Sequence, residues 1–432
     1  MLNIPLMIFL FIIFALMIIS YSVERFDFLS ISIVLSFLAA TVTGVVLELN
    51  LSDFVEHISF EAILVILGIS IITKIAQDNN ILEYIAVKLF KISRGKRRTF
   101  FYLLCILTTL MAAFITDVVV IIILGPVVVR LCRFLRIDAG TYLMGMSICV
   151  NIGSTMTPFS SGKNIIISTA FNLDTLYFIE NYWIFAAILL FVTIFLMDRL
   201  FLRKEPSIEK EHKTLYMELI NEDVMVENKT MFIFNSIAIL LTIVLFVILP
   251  LLYLTAIFAA FILVIINKNY TKKKAPAFFK ELEWDVIFFF ISLYIIIGCL
   301  LEAGFKDLIR LLPFQEVSPM LIPIIVLIFV SVISGFVANN PVAVILLPIV
   351  EVLSASVGST IPLYFAFIFG LSIGGNLIPQ ASSVNIMTLK IAKEAKVKNL
   401  NYKRSLKVGA SFTLIHILLT LGYTLLLGFI YG

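Results

Sequence analysis

Apolar stretches of about twenty residues recur from one end of this sequence to the other. No other feature limits its fold so strongly. A bilayer with a hydrocarbon core of about 30 Å demands that length of a helix that crosses it. In lipid every backbone N–H and C=O must find a partner within the protein, and uninterrupted runs of this length meet that demand as helices. Composition agrees, with 61% of the 432 residues hydrophobic and 14% charged, against about 45–50% and about 25% in soluble domains. A soluble enzyme, a disordered chain and a nucleic-acid binder are thereby excluded. Residues 4–21, 28–47, 60–76, 182–200, 231–249, 251–266, 285–301 and 407–430 read as simple spans. The first lacks the basic residues that precede a signal peptide's apolar core, so it counts as a span as well. Cys105, Cys132, Cys149 and Cys299 have neither metal-ligand nor redox spacing and read as packing thiols.

Four further apolar regions do not fit a simple crossing. Residues 99–129 run for 31 positions without a loop, too long for one straight span and too short for two; residues 319–353 repeat the problem. Residues 141–172 and 362–389 are each interrupted midway by Ser, Pro and Asn. Charge resolves the threading, because cytoplasmic loops collect Lys and Arg. With the N-terminus outside, Arg25, the cluster from Lys88 to Arg98, Arg130, Arg133, Arg136 and the basic residues of 203–229, 268–280 and 390–407 all fall inside, provided that 99–129 enters the membrane and returns. Of the 32 basic residues only Lys306 and Arg310 then lie outside, and Lys163 lies within the membrane. A straight crossing of 99–129 would put one of its two basic flanks outside, so the charges require a re-entrant hairpin. The span 311–389 holds no Lys or Arg, as an outward-opening hairpin requires. Residues 203–229, polar and of mixed charge, read as a cytoplasmic linker between halves 1–202 and 230–432.

The halves resemble each other. Residues 58–64 align with 282–288 at an offset of 224, and the hairpin tips align as Thr116-Asp117-Val118 with Ala338-Asn339-Asn340 at 222. Each tip is followed nine residues on by a proline, Pro126 or Pro348. In the broken helices Gly153, Pro158, Ser161 and Asn164 match Gly374, Pro379, Ser382 and Asn385, all at 221. The first hairpin opens inward and the second outward, so the repeats are inverted. Inverted repeats with interrupted helices at matching places mark secondary transporters, with the site near mid-bilayer. The expected fold is an all-α polytopic membrane protein of two inverted-topology repeats, each with a re-entrant hairpin (99–129, 319–353) and a broken helix (141–172, 362–389).

Polar side chains at membrane depth are functional candidates by default. Asp117 sits at the first hairpin tip beside Thr116 and can bind a cation or carry a proton; Asn339 and Asn340 hold the second tip. The stretch from Asn151 to Asn164, with Ser160, Ser161 and Lys163, cannot stay helical through Pro158 to Gly162. The half-helix that restarts near Asn164 turns its N-terminus, a positive pole, toward an anion. Asn376, Gln380, Ser382, Ser383 and Asn385 repeat the arrangement from the other side. Lys163 stands as a fixed ammonium, pairs with Asp117, or locks the break. His416 reads as a packed histidine. No metal cluster, P-loop or nucleophile–base pair is present in the sequence, so the chain reads as neither an enzyme nor itself an ATPase.

At these motifs the sequence resembles the ion transporter superfamily, most closely its branch of arsenite permeases, one type of sodium/proton antiporter and the melanosomal P protein. Citrate transporters and divalent anion/sodium symporters are more distant in that resemblance, which covers about residues 29–430. It implies a scaffold, a mobile domain holding both hairpins and both broken helices, and alternating access. Family members often carry Asp-Asn where this chain has Thr116-Asp117, an Asp at Ala338, and Gly-Asp-Pro-Pro-Asn where it has Ser160-Ser-Gly-Lys163-Asn164. Acidic positions are lost and a lysine gained, which favours a small anionic solute, an oxyanion or a carboxylate. The rival readings are a cation/proton antiporter working through Asp117 and a channel on the same scaffold. Expected partners are the solute, with sodium or a proton as coupling ion and no other cofactor, and the bilayer, in the plasma membrane; a homodimer and a separate ATPase subunit stay open.

Overall fold

The structure, a computed structural model, describes residues 2–22, 26–204, 226, 228–249, 251–271 and 275–431. Arg25 and nearly all of the 203–229 linker lie outside the described residues. Among the described residues every regular element is helical. The first half comprises α1 (Ile4–Ser22), α2 (Phe28–Leu47), α3 (Leu51–Glu56), α4 (Phe60–Asp78), α5 (Ile81–Ile92), α6 (Arg97–Phe114), α7 (Asp117–Phe134), α8 (Gly140–Gly153), α9 (Gly162–Phe171) and α10 (Thr175–Leu200). The second comprises α11 (Lys229–Ile248), α12 (Leu252–Thr271), α13 (Ala275–Lys280), α14 (Trp284–Glu302), α15 (Phe305–Arg310), α16 (Leu321–Phe336), α17 (Asn339–Ser354), α18 (Thr360–Gly374), α19 (Ser383–Glu394) and α20 (Tyr402–Tyr431). Each helix of the first half has its counterpart ten numbers later.

The hairpins form as the sequence predicts. Helix α6 starts where Arg98 pairs with Asp198 at the end of α10, and α7 ends where Arg133 donates to the Ala395 carbonyl beyond α19. Asn399, between α19 and α20, and Arg404, in the first turn of α20, bind Gly140 N–H and Thr141 Oγ1 at the start of α8. Both roots of the first hairpin therefore lie at one end of the molecule, hereafter the basic end. Helix α17 runs the other way: Glu351 near its C-terminus pairs with Lys306 of α15 at 2.8 Å, next to the His57–Glu302 pair at the opposite end. Corresponding helices thus run in opposite directions, which makes the repeats inverted. The two basic residues that the threading leaves at that opposite end are both paired, Lys306 with Glu351 and Arg310 with Asp307.

Small residues set the closest approaches. Gly153 of α8 lies so near α6 that a Cβ there would stand 2.1 Å from the Thr109 carbonyl oxygen; Gly374 of α18 meets Ser331 of α16 in the same way at 2.4 Å. In the first half Thr109 Oγ1 then reaches the Cys149 carbonyl, and in the second Ser334 Oγ reaches that of Leu371. Helix α4 packs through Gly68 onto Ala256 of α12, and α14 packs on α2, so the first-half and second-half scaffold helices interleave.

The apolar interior divides the molecule into two bodies. One core joins α5–α10, α9 through Ile167, and α16–α20; the others join α1–α4 with α11–α15. The second body is the scaffold. Phe159, Ile165 and Ile166 around the first break and Val344 of α17 reach across to it. Both hairpins and both broken helices lie in the first body.

Candidate functional site

Where the two bodies face each other a cavity of about 1500 Å3 opens toward the basic end. Its mouth is walled by exposed Asp27, Glu283 and Asp285 on the scaffold and by exposed Lys390, Lys393 and Lys396 at the end of α19. Its half-buried floor is formed by Thr116, Asp117, Gly162, Asn340 and Ser383. At the opposite end a separate cavity of about 420 Å3 is lined by His57, Ser59, Glu61, Thr169 and Glu351, among others.

The floor residues share one property: each stands at the start of a helix. Asp117 begins α7, Gly162 begins α9, Asn340 is the second residue of α17, and Ser383 begins α19. The first turn of a helix leaves N–H groups without intrahelical partners and carries the positive end of the dipole. Helices α2, α4, α10, α11 and α18 begin on side chains that accept from those groups, Asp27, Ser59, Asp174, Asn228 and Ser359. Thr116, Ser161, Ala338 and Ser382, which precede the four helices of the floor, supply no such cap. Asp117 itself spends one carboxylate oxygen on the Val118 N–H at 2.8 Å, and its own N–H meets the Ser160 carbonyl at 3.3 Å. Asn340 packs beside Gly162, where a Cβ would stand 3.1 Å from its amide nitrogen. Tyr21 of the scaffold, stacked on Phe289, brings its hydroxyl within 3.4 Å of Ser383 Oγ.

Behind the floor lies a buried layer that holds the breaks open. Asn164 donates to the carbonyl of Ser154, the residue that closes α8, at 2.6 Å; Asn385 donates to that of Gly375, which closes α18, at 2.9 Å. The two bonds are the same bond at an offset of 221. Ser160 Oγ adds bonds to the Ser154 and Thr157 carbonyls, and Trp183 of α10 ties down Met156. Asn151 and Asn376 join each other at 2.6 Å where the ends of α8 and α18 meet, with Ser382 Oγ on the Asn151 oxygen. Asn339 meets Ser334 Oγ at 2.7 Å; the single Ser334 proton goes to Leu371, so the Asn339 nitrogen faces Ser334 and the Ala381 carbonyl. Lys163 is 1% exposed and its Nζ takes Ser154 Oγ at 3.1 Å. The carboxylate of Asp117 acts on it through space. Its second-half counterpart is Val384. Ser161 Oγ and Asn164 Oδ1 are buried without a hydrogen-bond partner.

The structure thus sorts the residues expected from the sequence. Thr116, Asp117, Asn340, Gln380 and Ser383 line the large cavity; Asn151, Ser160, Ser161, Lys163, Asn164, Asn339, Asn376, Ser382 and Asn385 lie behind it. Gln380, toward the mouth, accepts from the Tyr402 hydroxyl at 2.9 Å. Sequence reasoning missed Tyr21, Asp27, Glu283, Asp285 and the Lys390–Lys396 wall. The signal available was their place at the ends of apolar stretches or between them, where polar and charged residues are ordinary. At the mouth, desolvation and the Asp285 and Asp117 carboxylates hold the Glu283 carboxyl above the usual glutamate range. The Ser30 hydroxyl and N–H hold Asp27 below the usual aspartate range.

Comparison with known proteins gives a consistent picture. A family model described as citrate transporter matches residues 9–370. A 46 kDa membrane protein of Mycobacterium leprae is 26% identical over 371 residues, 84% of this chain and 85% of that protein. An uncharacterized transporter of Mycobacterium tuberculosis is 25% identical over 375 residues, 85% of this chain and 86% of its own length. The human P protein is 26% identical over a shorter segment, 38% of this chain and 21% of that protein. Among solved structures the YdaH transporter of Alcanivorax borkumensis shares the fold, with a TM-score of 0.58 at 11% identity over 87% of this chain and 86% of that one.

Proposed function

The chain belongs to the citrate transporter family, and from that premise we propose that it is a secondary transporter that carries a small anion, of the carboxylate or oxyanion class, by alternating access. It is a membrane transporter; the solute and the mechanism are our reading. The observation that carries the reading is the convergence, on the floor of one cavity, of the N-termini of α9, α17 and α19, which have no side-chain cap, beside that of α7, whose first N–H groups are taken by Ser160 and by Asp117 itself. Free N–H groups and positive dipole ends favour a negative ligand. Two cavities at opposite ends, each lined by its own residues, support a carrier rather than a continuous pore. The positive-inside rule turns the basic end to the cytoplasm, with the N-terminus outside and the 203–229 linker inside, in the plasma membrane. The large cavity then faces inward. Lys163 serves as a built-in cation behind the first break, and Asp117 is the group through which a coupling proton or sodium ion acts.

One observation favours a second reading, a cation/proton antiporter: Asp27, Asp117, Glu283, Asp285 and Glu394 put five carboxylates around the same cavity. Uptake by purified protein in proteoliposomes separates the two. Anion transport predicts accumulation of labelled di- and tricarboxylates or oxyanions, and its loss by more than tenfold in Asn340→Asp. That variant places a negative charge at a helix N-terminus, so it leaves the melting temperature equal or higher. Proton-linked sodium flux that Asp117→Asn abolishes, with no anion accumulated, overturns the first reading in favour of the second.

A further inference from the structure

The repeat symmetry says what becomes of the two charged walls when the large cavity shuts. In the small cavity at the opposite end, Thr169 and Ala170 of α9 line the same space as Ser59, Phe60 and Glu61 at the start of α4. Their second-half counterparts are Lys390 and Ile391, at an offset of 221, and Glu283, Trp284 and Asp285, at an offset of 224. In the large cavity Lys390, Glu283 and Asp285 stand on opposite walls. Among the described residues no ion pair joins Lys390, Lys393 or Lys396 to Glu283 or Asp285. The lysines belong to the body that holds the hairpins and the carboxylates to the scaffold, so only motion of one body against the other can bring them together.

We propose that Lys390 closes onto Glu283 and Asp285 when the two repeats exchange conformations, forming an electrostatic latch that holds the basic end shut. The proposal rests on the alternating-access reading above. It follows because an inverted repeat gives each half, in the alternate state, the packing that its partner now has. The small cavity is therefore an image of the large one once closed. Thr169 shares the narrower cavity with Ser59 and Glu61 and brings no charge to it; Lys390, brought equally near to Glu283 and Asp285, forms an ion pair. The latch is one-sided: Thr169 and Asn172, the counterparts of Lys390 and Lys393, carry no charge. It favours the closed state of the basic end and has no equivalent at the other.

The test uses the full-length protein in proteoliposomes, with Ile386→Cys as a reporter on the cavity wall; the four native cysteines are buried. Labelling from the basic end by a membrane-impermeant maleimide reads the open fraction. Lys390→Glu raises that fraction about threefold, the size of one partly exposed ion pair. Adding Glu283→Lys and Asp285→Lys to Lys390→Glu returns it to the wild-type value. A Lys390→Glu variant that labels like wild type, or a triple variant that fails to recover while remaining folded by its melting temperature, overturns the latch. A wild-type reporter that stays fully reactive under every gradient and ligand, showing no protected state, overturns alternating access and the latch with it. Protection in wild type that charge reversal leaves untouched overturns the latch alone.

Discussion

At the scale of single residues, the matched positions of the two repeats turn out to be structural where they are most alike. Gly153 and Gly374 sit against backbone carbonyls of the preceding hairpin helix, with no room for a side chain. Gly374→Ala should cost about 1–3 kcal/mol through displacement of α16, read as a lowered melting temperature in detergent. Gly422 of α20 has nothing within 4 Å of its missing Cβ. Gly422→Ala should therefore be neutral or slightly stabilising, since alanine is the better helix former. Equal losses in the two variants would sink the close-packing account. Asn164 and Asn385 belong to the same class: each amide satisfies a carbonyl that the broken helix would otherwise leave bare. The sequence showed that these asparagines recur, but an amide that binds a solute and one that binds a neighbouring carbonyl look identical in a string of letters.

At the scale of elements, the hairpins and breaks were legible because two independent constraints met on them. Stretch 99–129 had the wrong length for one or two crossings and basic residues at both ends, and α6 and α7 turn at the residue pair Ile115-Thr116 as those facts require. Pro158 and Pro379 marked the breaks; the interruption is wider than the prolines alone, from Ser154 to Ser161 in the first case. Ends were read less well. Helix α10 starts at Thr175, seven residues before the expected span, because Asp174 caps it and Glu180 and Asn181 sit comfortably on its outer turns. Depth along a helix follows from counting residues, whereas the face a residue occupies follows from tertiary packing, which is why Lys163 and Asn151 prove to lie behind the floor. The pairing of α11 with α12 through Asn235 and Asn267, with reciprocal bonds of 2.9 and 2.8 Å, also escaped notice. Asn235→Leu should lower stability by about 1 kcal/mol by orphaning its partner, while Asn235→Leu with Asn267→Leu comes back near wild type. A double variant that loses the sum of two singles would refute the pairing as the source of that energy.

At the scale of the whole molecule, the chain folds as two interlocked bodies, and repeat boundaries do not coincide with them. Each half contributes its first helices to the scaffold and its hairpin and broken helix to the other body. This division was implied by family resemblance and not by any run of letters, because both bodies draw on equally apolar segments. It makes a mechanical prediction. Tyr21 and Ser383 lie on different bodies with their hydroxyls 3.4 Å apart. A disulfide between Tyr21→Cys and Ser383→Cys should abolish transport and a reductant should restore it, while each single variant under the same oxidation keeps its own untreated rate. Full transport by the bridged protein would mean that the bodies do not need to part.

The unmatched lysine carries the last consequence. A carrier assembled from two equivalent halves would present the same half-saturation concentration to solute arriving from either face. Lys163 opposite Val384 removes that equivalence, because one half brings an amine to the middle of the membrane and the other brings only a hydrocarbon. Detailed balance still fixes the ratio of flows at equilibrium, so the imbalance must surface as unequal affinities on the two faces.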